Sequence, residues 1–229
     1  MCGRYTIVHS HKELIERFRV TKELLESGER FNVAPTQTVP IVIHDGVSAG
    51  RALMPAKWGL VPTWAFKVPK PPQPMINARA ETILEKKTFK GPMGKSRCLI
   101  PADGFFEWQG DKANRKPVYI RLKSKELFSF AGLFQKSKDK EGNEIDTCTI
   151  ITTSPNELMQ DIHHRMPVIL SEGDEEAWLD SDAVDEAQAL KLLNPYDSSR
   201  MEAFPVSKLV NSVKNKGPEL IEPLTEDST

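Results

Sequence analysis

The sequence predicts an α+β protein: one domain built on a curved, largely antiparallel, barrel-like sheet flanked by short helices. Three observations predict it. Alternating and β-branched segments recur along most of the chain, joined by turn signals such as Asp45-Gly46 and Ser124-Lys125-Glu126. Segments of helical period are few and short, and lie between the strands and towards the end. The two kinds do not alternate regularly enough for a doubly wound parallel sheet.

In chain order, Ser10 is placed to cap a helix whose apolar face is Leu14, Ile15 and Phe18. Thr21 is expected to cap a second helix, KELLES (22–27), stopped by Gly28. VPIVIH (39–44) reads as a strand entering a hairpin at Asp45-Gly46, and RALMPAKW (51–58) as its return. Prolines cluster over 55–74, which predicts a long irregular loop there. RCLIPADGFFEWQ (97–109) is strand, turn at Asp103-Gly104, strand. VYIRLK (118–123) and LFSFAGLF (127–134) alternate and are expected to form another hairpin. The lysine-rich 136–144 segment fits a solvated hairpin tip before the β-branched strand DTCTIITT (146–153). EGDEEAWL (172–179) and AVDEAQALKLL (183–193) are amphipathic helices. The domain is assigned to 1–224, with 225–229 a polar acidic tail that frays.

Composition narrows the function. At 229 residues the chain can bury a sizeable core without disulfides. The net charge of −1 gives no global attraction to nucleic acid or membrane, so any DNA binding must come from a local cluster of arginines. Cys2, Cys98 and Cys148 are too scattered for a disulfide framework or a zinc site, and no metal or cofactor is expected. The first twenty residues lack an apolar signal region, and no stretch approaches the ~18 apolar residues of a membrane span. A cytoplasmic, monomeric protein with reduced cysteines is expected.

Five stretches concentrate reactive or polar residues. The first is MCGR. Cysteine and glycine are small enough for Met1 to be removed, and Cys2 then becomes a 1,2-aminothiol. Its amine (pKa ~7.7–8.0) and thiol (~8.5) both have reactive fractions near neutral pH. The amine can itself act as base for the thiol, as in N-terminal nucleophile enzymes; a frayed terminal cysteine is the bland alternative. In MINARAET (75–82), Asn77, Arg79 and Glu81 share one face of a strand. In PADGFFEW (101–108), Glu107 lies between Phe106 and Trp108, where desolvation suits a general acid. In DIHHRMP (161–167), His163 can carry protons and Arg165 charge, although a capped surface loop would look the same. In FNVAPTQ (31–37), Asn32 precedes a turn; Trp58 and Trp64 beyond it are core or a stacking platform. Together they supply a nucleophile, an acid, an imidazole, an amide and arginines, the inventory of an active site.

The set MCGRY, NVAP, WGLVP, INARAET, PADGFFEW, DIHHRMPVIL and VNSVKNKGPELI resembles the SOS-response-associated peptidase family, also described as abasic-site processing proteins. The resemblance runs from Cys2 to about Leu224. It implies a mature N-terminal cysteine that forms a thiazolidine crosslink with an abasic site in single-stranded DNA, and removal of the protein's own leading residue. It implies catalytic roles for Cys2, Asn77, Glu107 and His163. It also implies DNA contacts by Arg4, Asn32, Arg79 and Arg165, with Trp64 as an aromatic wedge. Where the family can carry two adjacent tryptophans, this chain has Trp64-Ala65. Two other classes share parts of the pattern. MCG also opens class II glutamine amidotransferases, and a thiol peptidase would use the same nucleophile.

Overall fold

The computed structural model describes residues 2–46, 50–68, 72–111, 114–138 and 141–224. The strands in chain order are β1 (Arg4–Ile7), β2 (Val20–Glu23), β3 (Arg30–Val33), β4 (Thr38–His44), β5 (Arg51–Trp58), β6 (Asn77–Arg79) and β7 (Arg97–Ala102). They continue with β8 (Gly104–Gln109), β9 (Lys116–Leu122), β10 (Phe128–Lys138), β11 (Glu144–Thr153), β12 (Met166–Pro167), β13 (Ile169–Leu170) and β14 (Met201–Pro205). The α-helices are α1 (His11–Phe18), α2 (Lys87–Lys95), α3 (Glu172–Leu179) and α4 (Glu186–Leu190).

Five strands close a barrel. β5, β4, β7, β10 and β11 are antiparallel neighbours in that order, and β11 returns to β5 in parallel through Thr147–Lys57 and Cys148–Trp58. The second sheet, β14-β9-β8-β1-β3, is wholly antiparallel. It packs one face on the barrel. Tyr5 of β1 meets Trp58 and Phe130 edge-on at 5.3 and 5.8 Å, and Phe105 meets Phe130 at 6.1 Å. Strand period two turns the next residue, Phe106, to the opposite face, where it forms a smaller core with Tyr119, Val206, Val210 and Leu220. By the same period Glu107 returns to the face of Phe105. The largely antiparallel, curved sheet of the sequence reading is therefore present, as a closed barrel plus a second sheet.

Buried charges hold the helices down. Glu175 on α3 accepts from both terminal nitrogens of Arg17 at 3.0 Å and from the Ser129 hydroxyl at 2.8 Å. Buried Arg97 donates to the carbonyls of Trp178, Asp180 and Val184, which takes up acceptors left over at the end of α3. α1 begins on Ser10 with a reciprocal Ser10–Glu13 capping box and ends at Arg19, which is left-handed (φ 51°).

Two expectations are corrected, and one helix appears that the sequence reading did not anticipate. The KELLES helix does not form: Val20–Glu23 is β2, running parallel to β5, and Leu24 is 55% exposed, so a helix here would have no face to bury. VYIRLK and LFSFAGLF are strands but not a hairpin, because β9 belongs to the second sheet and β10 to the barrel. A turn at Lys125 (φ 60°) carries the chain from one sheet to the other. Finally, Lys87–Lys95 is helical despite Gly91 and Pro92, held by Phe89 and Met93 in the core. The lysine-rich hairpin does form, with Lys138 opposite Glu144; its residues 139 and 140 lie outside the described set. The proline-rich stretch is partly ordered by a Leu60–Met75 bridge and a 3-10 turn at Thr63–Lys67; residues 69–71 and the tail 225–229 lie outside the described set.

Candidate active site

Cys2 enters the core instead of fraying. Its side chain is 0% exposed, and its Sγ lies 3.9 Å from the Arg4 carbonyl. Burial, and then the Glu107 charge, push the thiol pKa well above its ordinary value, so the sulfur is a neutral S–H at physiological pH. β1 and β8 run antiparallel with Arg4 opposite Phe106 and Tyr5 opposite Phe105. One more step along that register sets Glu107 beside Gly3, next to Cys2.

His163 reaches the same place from the loop after β11. Gln109, at the end of β8, donates to the Asp161 carbonyl at 3.0 Å and so tethers that loop to the strand bearing Glu107. His163 Nδ1 lies 3.0 Å from the backbone N–H of Arg165 and 3.1 Å from its carbonyl, so the Arg165 backbone fixes the ring's position. His164 stacks on His163 at 4.3 Å. Burial lowers the His163 pKa, opposed by the Glu107 carboxylate. Glu107 thus acts electrostatically on both the thiol and the imidazole.

Asn77 comes from β6, which lies parallel to β11 with Asn77 opposite Ile150. The preceding carbonyl, of Ile76, accepts from the Trp58 indole at 2.9 Å, and Trp58 packs on Tyr5 of β1. Both polar atoms of the Asn77 amide are buried without a hydrogen-bond partner. Leaving such groups unmet costs about 1–3 kcal/mol, a cost often found where a protein receives a ligand.

The arginines differ in availability. Arg4 Nη1 donates to the Gly3 carbonyl at 3.0 Å and its Nε has no partner. Arg79, exposed at the end of β6, shares the face of Asn77, while Ala78 between them is buried. Arg165 makes a two-point pair with Glu81 at 2.7 and 2.9 Å and donates to the Thr152 carbonyl at 2.6 Å. Trp64 is 44% exposed, as a stacking residue must be. Asn32 is buried, and its amide nitrogen reaches the carbonyls of Val210, Ser212 and Asn215 at 3.3, 3.1 and 3.1 Å. Its nitrogen therefore holds the C-terminal segment against β3.

Sequence reasoning missed a buried cluster behind the site. Asp103, read only as a turn residue, accepts from Thr6 Oγ1, the Val8 N–H and His9 Nδ1, and the Tyr119 hydroxyl lies 2.8 Å from Thr6 Oγ1. An Asp between two apolar strands, with a threonine and a histidine across the sheet, was the available signal. Among the described residues no group of His, Cys, Asp and Glu could hold a metal ion.

A buried thiol at the head of a strand, beside a carboxylate that also acts on an imidazole, where a closed barrel meets a second sheet, defines a thiol-centred barrel protein. The chain belongs to the SOS response associated peptidase (SRAP) family, which matches residues 1–213. It is similar to the abasic site processing protein YoqW of Bacillus subtilis (strain 168), 49% identical over 226 residues, 97% of this chain and 99% of that one. It is also similar to the abasic site processing protein HMCES of Gallus gallus, 36% identical over 225 residues, 85% of this chain and 66% of that one. A crystal structure of a protein from Bacteroides thetaiotaomicron superposes with a TM-score of 0.83 at 30% identity, covering 98% of this chain and 100% of the other. No helix among the described residues is long and apolar enough to cross a membrane.

Proposed function

We propose that this chain processes abasic sites, capturing them in single-stranded DNA as a thiazolidine on Cys2 once Met1 has been removed. The observation that carries the reading is the buried Cys2 thiol within the field of Glu107, whose carboxylate also acts on His163. The names of the relatives at 49% and 36% identity support the abasic site as substrate.

The chemistry follows from the groups present. An abasic deoxyribose is mostly a closed hemiacetal; in its protonated form Glu107 donates to the ring oxygen, and the carboxylate so formed takes the C1′ hydroxyl proton as the ring opens to the aldehyde. The Cys2 amine adds to C1′, and loss of water gives an imine. The thiol then adds across the C=N bond, its proton passing to nitrogen through Glu107 or His163. The five-membered ring has no imine left, so hydrolysis and strand-breaking β-elimination are both suppressed. A neutral thiol fits this order, in which the amine attacks first. Asn77 supplies its unmet amide to the sugar hydroxyl or the amine. Arg4, Arg79 and Arg165 take phosphates, and Trp64 stacks on a base. Removal of Met1 is hydrolysis of the Met1–Cys2 peptide bond.

The test is incubation with single-stranded DNA carrying an abasic site, a denaturing gel and an intact mass. The protein should shift as a stable adduct of one strand, lost in Cys2→Ala and in protein that retains Met1. A durable adduct from Cys2→Ala would overturn the mechanism.

A further inference from the structure

The segment after β14 is not used by the chemistry above, yet it is built with care. Asn32 collects three of its carbonyls, and Asn211 Oδ1 accepts from the Trp108 indole at 2.7 Å. Val210 is buried beneath it, and Trp108 is the next residue after Glu107. These anchors fix the segment at the end of β8, on the face of that strand opposite to Glu107. What that surface presents outward is three exposed lysines, Lys208, Lys214 and Lys216, none in an ion pair with a described residue. Among them stand Leu209 and Val213, 49% and 43% exposed. Between 207 and 218 there is no Asp or Glu. By contrast, 172–186 holds eight Asp and Glu and no Lys or Arg. The net charge of −1 thus conceals an acidic and a basic segment, the basic one anchored to Trp108, the residue after Glu107 in β8.

From this we infer that residues 207–216 form a second nucleic-acid contact surface, which takes the backbone of single-stranded DNA flanking the captured nucleotide. Lys208, Lys214 and Lys216 bind phosphates as flexible point charges, and Leu209 and Val213 lie against the sugars and base faces. The inference rests on the reading of the substrate as DNA. It assigns Asn32 a positioning role: it shapes the segment that touches DNA.

The experiment measures fluorescence anisotropy of a labelled, undamaged oligothymidylate, in which no crosslink can form, over a range of salt. The variant Lys208→Gln/Lys214→Gln/Lys216→Gln should bind about tenfold more weakly at low salt. The slope of log K against log salt should become shallower by about 2, three contacts at ~0.7 each. The matching triple change to Arg should bind like wild type. A control, Lys86→Gln/Lys87→Gln/Lys90→Gln on and beside α2, removes the same charge elsewhere and should keep the wild-type slope. Unchanged slope in the first variant, or an equal loss in the control, overturns the inference. Absence of salt-dependent binding by the wild type overturns it together with the DNA reading. Binding without crosslinking on abasic DNA overturns only the crosslink chemistry.

Discussion

Thr6 Oγ1 donates to Asp103 Oδ1 at 2.5 Å and accepts from the Tyr119 hydroxyl at 2.8 Å. One buried threonine therefore locks β1, which begins two residues after Cys2, to the corner where the chain leaves the barrel and enters β8. Gly104 makes room for that lock: a Cβ there would meet Tyr119 Oη at 2.1 Å. Gly104→Ala should destabilise the protein by about 1–3 kcal/mol, as overpacking of a filled core does. Denaturant unfolding at constant m-value checks it; no loss would mean the tyrosine can step aside.

His9 adds a pH dependence to the same cluster. Its hydrogen bond to Asp103 raises its pKa above the ordinary 6.5. A raised histidine contributes stability fully below its unfolded pKa and loses it as pH rises through the folded one. The difference in stability between wild type and His9→Gln should be about 1 kcal/mol near pH 5.5 and shrink by about pH 8.5. Equal differences at the two pH values would contradict this.

Glu81 holds the Arg165 guanidinium that the proposed function gives to a phosphate. The arginine's hydrogen bonds hold the Glu81 carboxyl below its ordinary 4.5, so the pair's stabilisation is present above that pH and is lost as pH falls through the folded value. Because Glu81 is half exposed, the pair contributes at most about 1 kcal/mol. Glu81→Gln should therefore fold normally, bind oligothymidylate a few-fold more tightly and steepen the salt slope by about 0.7. Unchanged affinity would show that Arg165 does not meet the backbone.

His163 is kept neutral by burial, and its pKa lies below the ordinary 6.5. Proton transfer by the neutral imidazole should persist on the acid side of pH 6.5 and fail only as pH drops through the lowered value. His163→Gln should slow single-turnover crosslinking about tenfold or more and remove that acid limb from the pH–rate profile. A limb that survives in the variant belongs to another group.

Where local chemistry decides, the sequence was readable. Ser10 ahead of Leu14, Ile15 and Phe18 forecast α1, and Lys138 does face Glu144 in the lysine-rich hairpin. Partner choice was not readable. The turns at Asp103 and Lys125 look like hairpin turns, yet each carries the chain into a different sheet, because the pairing partners lie far away in sequence. Leu24 had the spacing for a helix but no surface to cover. Among the candidate residues, Cys2 stood out by its place behind Met1, His163 by its pairing with a second histidine ahead of an apolar strand, and Asn77 and Glu107 as polar residues within strand patterns. Asn32 stood out equally, and only the three carbonyls around its amide reveal its structural work.

Closure of the barrel through β5 and β11 sets an order in time. Lys57 must wait for Thr147 before the ring can shut, and until then the edge of β5 that β11 will cover stays open. Cys2 precedes its burial partners in the chain, which arrive only with β8 and the loop that follows β11. Until those elements pack, the cysteine is unguarded. Such a dependence on distant pairing predicts slow, late folding. Premature release of the chain before β11 would leave the thiol exposed to whatever aldehyde or oxidant it met first.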